Sequence, residues 1–207
     1  MMPQVVLDHD ITALQDSILS AAFDTVGVDH SKVIDAYFDR VASEYGYNVK
    51  PAADTASLYS ADGYSLVTGE VVNLSGSLLT YSVTWSGYTP GAAHGMTVHR
   101  YIDYSLVDGK IITLPDLFTQ KGLAELPAAI QAQADRMAST LGITTISALP
   151  AYDNFYLSAA GDIVFAYQPY EVASYAQGEV KVPFYPYELA QYMTPYALKL
   201  FNLQGLQ

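Results

Sequence analysis

Three side chains able to ligate a metal or move a proton fall close together in GAAHGMTVHRYID: His94, His99 and Asp103. Two imidazoles and a carboxylate could hold a transition metal. The spacing works against it, because residues five apart on a strand point to opposite faces. His94 would have to fold back from a loop, and no carboxylate–histidine pair at i, i+4 on a helix supports a site. The segment reads more simply as a turn histidine with a satisfied hydrogen bond. A serine nucleophile lacks its usual setting, since no Gly-x-Ser-x-Gly elbow is present. Carboxylate pairs for glycoside hydrolysis depend on a spacing that sequence does not reveal. Gly91 and Gly95 precede neither a lysine nor a helix start, so they form no phosphate loop. Asn73-Leu74-Ser75 matches a glycosylation sequon, but it falls in an expected hairpin turn. No catalytic residue, metal or cofactor is expected.

The tyrosines carry more information. There are 18 of them, and they crowd the stretch GDIVFAYQPYEVASYAQGEVKVPFYPYEL, residues 161–189. Loops are built from Gly, Pro, Asn and Asp; large rings in a loop are packed or bind something. Exposed tyrosine offers wide amphipathic area at low entropy cost, which suits protein or sugar recognition. Tyr37, Tyr81 and Tyr167 fit core positions. Tyr88, Tyr170 and Tyr175 fall in expected loops and, with His94, form the candidate ligand-binding set. The structural alternative is that Tyr170 and Tyr175 close the 169–178 loop over a sheet edge, with at least one ring buried and Gly178 making the turn.

Composition narrows the partners. The apolar fraction of 51% is enough for a full core in 207 residues. The charged fraction of 14% is low against a typical ~25%, so the surface relies on neutral polar groups. Net charge is −12, and the nine basic residues are scattered singly. Nucleic acid needs clustered Lys and Arg, so it is not an expected partner. Residues 1–70 hold eleven acids and three bases, net −8; residues 71–207 hold ten and six, net −4. Such a surface steers cationic partners inward. The absence of cysteine removes disulfides and thiol chemistry. No apolar run of about 18 residues is long enough to span a membrane, and Met1-Met2-Pro3-Gln4 does not open a signal peptide. Oligomeric state is not readable.

The elements that must position these residues follow from periodicity. Ile11, Leu14, Ile18, Ala22 and Phe23 share one helical face over 10–24. Val33 to Tyr45 repeats the pattern, with Ser31 as N-cap and Gly46 just past the end. A short strand at Val5-Val6-Leu7 is expected before them. The period then changes to two: Tyr64 to Leu74, and Leu79, Tyr81, Val83 and Trp85, joined across Ser75-Gly76. A strand over 96–107 turns at Asp108-Gly109, where both positions are expected at positive φ, into 110–114. A helical turn at 115–118, a helix over about 123–141 ending at Gly142, a hairpin of 154–158 with 163–168, a strand over 179–183 and two C-terminal helices complete the order. The class is α+β, an antiparallel sheet of long hairpins packed against helices, with the 123–141 helix covering it. A helical segment, 1–54, is expected to belong to the same unit as a domain over 55–207, with a mild internal boundary near Pro90.

Two of these segments carry a family resemblance. GAAHGMTVHRYIDYSLVDGKIITLPDLF resembles a signature of Gly-Gly-Ala-His loop, strand, Gly-Lys hairpin and Leu-x-Asp-Leu-Phe. FYLSAAGDIVFAYQPYEVASYAQGEVKVPFYPYEL resembles its C-terminal counterpart, with Pro-Tyr-Glu-Val-Ala and Tyr-Ala-x-Gly. Together they resemble the extracytoplasmic domain of RsiV-type anti-sigma factors and the accessory region of the peptidoglycan deacetylase PdaC. The likeness covers roughly residues 55–192. It implies an envelope domain, and in RsiV that domain recognises lysozyme, a basic protein. The resemblance therefore implies a non-enzymatic binding or sensing module, extracytoplasmic and periplasmic or lipid-anchored, with a lysozyme-like protein or cell-wall glycan as ligand. The anti-sigma segment and the deacetylase domain have no counterpart here. An envelope hydrolase using His94 and nearby carboxylates is the alternative.

Overall fold

The structure, a computed structural model, describes residues 5–6, 9–24, 32–45, 63–141, 149 and 152–205. Ser31, Gly46, Gly142 and the expected 54/55 boundary lie outside the described residues. The order is β1 (Val5–Val6), β2 (His9–Asp10), α1 (Thr12–Phe23), α2 (Val33–Tyr45), β3 (Tyr64–Ser75), β4 (Leu78–Tyr88), β5 (Met96–Ser105) and β6 (Lys110–Ile112). Then come α3 (Leu114–Leu117), α4 (Gln120–Leu141), β7 (Phe155–Leu157), β8 (Ile163–Tyr167), β9 (Val180–Phe184) and α5 (Pro195–Leu200). Short 3-10 turns occupy Tyr175–Gln177 and Pro186–Tyr192. The fold is α+β, as the periodicities require. Its strands divide between two larger sheets rather than one, in the orders β3-β4-β5-β6 and β7-β8-β9, with β1 and β2 pairing separately.

Contacts group the chain into two units. The first is Met1–Glu70 with Val83–Arg100; the second is Val71–Ser82 with Tyr101–Gln207. In the first unit α1 and α2 meet through aromatic edges, Phe23 against Tyr37 at 5.4 Å. The Arg40 guanidinium caps the end of α1, donating to the carbonyls of Asp24 and Phe23 at 2.9 and 3.2 Å. The Tyr37 hydroxyl and the Trp85 indole both hydrogen-bond the Ser65 hydroxyl at 3.0 Å.

The second unit holds the main core. Leu126, Ile130 and Ala134 of α4 pack with Leu157, Phe165, Val182 and Phe184, so α4 covers one face of the β7-β8-β9 sheet. Pro127 sits inside α4 and has no N–H to give the Leu123 carbonyl. The Tyr152 hydroxyl fills that role at 2.8 Å. Thr119 starts the helix earlier than the apolar pattern shows, its hydroxyl accepting from Gly122 N at 3.0 Å.

The β5–β6 turn differs from expectation. Ser105 pairs with Lys110, which leaves four residues in the loop, and only Gly109 is left-handed, at φ 65°. Asp108 is tied down instead: the Ser105 hydroxyl donates to its carboxylate at 2.7 Å and its own N–H donates to Ser105 Oγ at 3.0 Å. Beyond it, Lys110 Nζ meets Asp116 Oδ1 at 2.5 Å and lies 4.6 Å above the Tyr196 ring. Burial alone would raise the Asp116 carboxyl, but Lys110 and Thr113 overrule it and hold it below its ordinary value.

Strand β7 lies at one edge of its sheet. The outward backbone of Leu157 is satisfied by side chains. Its N–H donates to Asp103 Oδ1 at 3.1 Å, and its carbonyl accepts from Thr80 Oγ1 at 2.8 Å and Asn73 Nδ2 at 3.2 Å. Asn73 is therefore buried and engaged through its amide, which removes it as a glycan acceptor.

Candidate ligand-binding surface

Tyr167 ends β8 and Val180 opens β9, and the two are register partners. Residues 168–179 must therefore leave and return at one place. The loop closes through bonds among its own residues. Gln168 N–H donates to Glu171 Oε2 at 2.7 Å, and Glu171 N–H returns to the Gln168 carbonyl at 3.0 Å. Tyr170 N–H donates to the Ala173 carbonyl at 3.1 Å. Ser174 and Gln177 form a capping box around the 3-10 turn. Gly178 then takes φ 68°, ψ −150°, a region essentially closed to other residues, and supplies the turn into β9 as expected.

Tyr170 is 58% exposed and Tyr175 half-buried, so neither ring is buried. This corrects the expectation of a ring packed over the sheet edge. The cause is local: once the loop's N–H groups find partners within it, no aromatic cover is needed. The rings stack on each other instead, centroids 5.8 Å apart and planes inclined by 29°. Tyr170 holds φ 72°, a left-handed backbone that costs a Cβ-bearing residue about 1–2 kcal/mol. Beneath the loop Tyr167 is buried, and its hydroxyl has no hydrogen-bond partner among the described residues. Burial, then the Glu171 charge, raises its pKa.

The other candidates belong to the first unit. Tyr88 ends β4 and is half-buried. His94 is exposed in the β4–β5 connection, its Nδ1 donating to the Gly95 carbonyl at 2.8 Å. His99 shares a 3.0 Å hydrogen bond with the Thr84 hydroxyl. Asp103 belongs to the second unit and is occupied by Thr80 and Leu157. Among the described residues no three His, Asp or Glu gather to hold a metal. Of the four candidates, only Tyr170 and Tyr175 are shown in mutual contact.

Two arrangements escaped the sequence. Tyr185 and Tyr187, 60% and 59% exposed, stack at 5.6 Å with planes 8° apart. The signal was Tyr-Pro-Tyr, in which Pro186 opens the turn and Tyr185 caps it. Phe184 pairs with Ile163, so this pair lies at the far end of the sheet from Tyr170. On the sheet face away from α4, Tyr101 and Tyr156 stack at 4.2 Å. The Tyr101 hydroxyl donates to Glu179 at 3.0 Å, and Lys181 bridges to the same carboxylate at 3.0 Å. Only tertiary pairing makes that group visible.

Residues 115–185 match the sequence model of a family described as a protein of unknown function, DUF3298. No curated protein matches the chain. Among solved structures, a DUF3298 family member from Bacteroides fragilis is similar at TM-score 0.61 and 20% identity, over 93% of this chain and 80% of that one. A DUF3298 family protein from Pseudomonas aeruginosa is similar at TM-score 0.59 and 16% identity, over 89% of this chain and 78% of that one. At these identities the likeness shows a shared fold.

Proposed function

We propose that this chain is a non-catalytic binding or sensing module of the bacterial cell envelope, with Tyr170 and Tyr175 at the centre of its recognition surface. The carrying observation is the exposed Tyr170 ring stacked on the half-buried Tyr175, with Tyr170 in a left-handed backbone that glycine would hold at less cost. The left-handed φ belongs to the Gln168–Glu171 turn, whose third position favours glycine, so turn geometry accounts for the backbone but not for a tyrosine there. The ligand in this reading is a basic, lysozyme-like protein or a cell-wall glycan. Tyrosine faces suit both, and the net charge of −12 suits the first. The RsiV- and PdaC-like signatures support an extracytoplasmic setting, exported or lipid-anchored. The hydrolase alternative lacks a supporting observation, because His94 is exposed and gives Nδ1 to a neighbouring carbonyl.

Calorimetry against lysozyme and soluble peptidoglycan fragments tests the proposal. Saturable binding to one of them is expected, and it should weaken with salt if the partner is the basic protein. Failure to bind either, together with peptidoglycan hydrolysis that disappears in His94→Ala, overturns it.

A further inference from the structure

Asp103 is 2% exposed and lies where the four-stranded sheet meets the outer edge of β7. The Thr80 hydroxyl sits 2.5 Å from Asp103 Oδ1 and 2.8 Å from the Leu157 carbonyl oxygen. Two short O···O contacts need two protons, and a threonine hydroxyl has one. A carboxylate brings none, whereas a carboxylic acid brings the second. Leu157 N–H adds a bond to Oδ1 at 3.1 Å. Oδ2 is buried and has no hydrogen-bond partner among the described residues. An ionised Asp103 would thus bury charge on an oxygen with no donor, a costly arrangement.

We propose that Asp103 is held as a neutral carboxylic acid in the folded protein, and that loss of its proton loosens the edge of β7, so that this seam acts as a pH-sensitive clasp. Asp103–H donates to Thr80, Thr80 donates to the Leu157 carbonyl, and Leu157 N–H closes the ring. Removing the proton turns the first contact from a bond into competition between two acceptors for one hydroxyl. The titratable residues on the surrounding strands are Tyr64 and Glu70 on β3, Tyr81 and Tyr88 on β4, Lys110 on β6 and Tyr156 on β7. Neither these nor the charged and aromatic residues of β5 itself offset the burial. Burial raises the group to about 7, opposed only by the Thr80 and Leu157 hydrogen bonds.

The direction of the pH effect follows. The unfolded value is 3.8 and the folded value about 7, so between them the folded state keeps a proton that the unfolded state gives up. This contribution to stability is whole below the lower value, falls as pH rises through the window and levels off above the upper one. The test compares wild type with Asp103→Asn, which is neutral at every pH and whose amide nitrogen can donate to Thr80 in place of the acid. Between about pH 5 and pH 7 the wild-type folding constant should fall by about fiftyfold relative to the variant, nearly one decade per unit at first and half that slope near the upper value. Parallel profiles overturn the proposal. Carbon NMR titration of the Asp103 carboxyl in wild type keeps it testable if the variant does not fold. A midpoint well above the ordinary value, with Leu157 amide protection falling over the same range, is expected. A midpoint at the ordinary aspartate value overturns it.

Discussion

The outer edge of β7 and the loop after β8 both leave backbone groups without a strand partner, and they are satisfied from opposite directions. At β7 the partners come from far along the chain: Asn73, Thr80 and Asp103 reach Leu157 from other strands. In the loop they come from within three residues, as in Gln168 with Glu171 and Tyr170 with Ala173. The first solution buries polar side chains and makes each one necessary. The second completes the backbone cheaply and leaves an exposed Tyr170 ring stacked on a half-buried Tyr175. Where side chains are needed to satisfy backbone, they are structural. Where neighbouring residues close the loop, an exposed tyrosine at a turn position that favours glycine calls for another reason, and recognition supplies one.

That contrast breaks most easily at the seam. Thr80→Val keeps the volume but removes two hydrogen bonds, leaving Asp103 Oδ1 with Leu157 N–H and the Leu157 carbonyl with Asn73, and each lost bond is worth about 0.5–1.5 kcal/mol. Chemical denaturation should show a larger loss than for any of the substitutions that follow, with ligand affinity unchanged at temperatures where the protein is folded. Tyr152→Phe comes next. It removes the donor that covers the Leu123 carbonyl opposite Pro127, and one hydrogen bond is worth about 0.5–1.5 kcal/mol. Acid titration of stability sharpens the picture. The Asp116 carboxyl is held below its ordinary value of 3.8, so its contribution is present above that value and disappears as pH falls through the lowered one. Asp103 runs the other way, and Asp116→Asn should therefore flatten only the acid limb of the stability profile. The smallest effect belongs to the loop: Tyr170→Gly relieves the left-handed strain and should alter the melting temperature little, upward if at all.

Much of the fold was legible in the chain. Helix periodicity marked α1 and α2, and the Gly161 and Gly76 turns marked their hairpins. What failed was the parity of β4. Leu79, Tyr81, Val83 and Trp85 form the apolar alternation, yet Leu78, Thr80 and Ser82 are buried beside Val83, while Leu79, Tyr81 and Trp85 are half-buried. Hydrophobic alternation cannot register a buried threonine whose partners lie 23 and 77 residues away. The same blindness grouped Asp103 with two histidines. An aspartate inside Tyr-Ile-Asp-Tyr-Ser was the available signal, because a charge in an apolar strand needs a partner or a proton. The loop was the reverse case. Its tyrosines announced it, but their exposure depended on whether the backbone could close unaided, which composition does not reveal.

The central claim is that Tyr170 and Tyr175 serve a ligand rather than the fold. The most direct test measures one sample twice: a Tyr170→Ala, Tyr175→Ala variant, by thermal melt and by titration with whichever of lysozyme or peptidoglycan fragments binds wild type. Stability within about 0.5 kcal/mol of wild type, as for surface substitutions, with binding lost at least tenfold, is the expected result. A melt lowered by the about 3–5 kcal/mol of a deleted core aromatic, with affinity retained by the folded fraction, would contradict it.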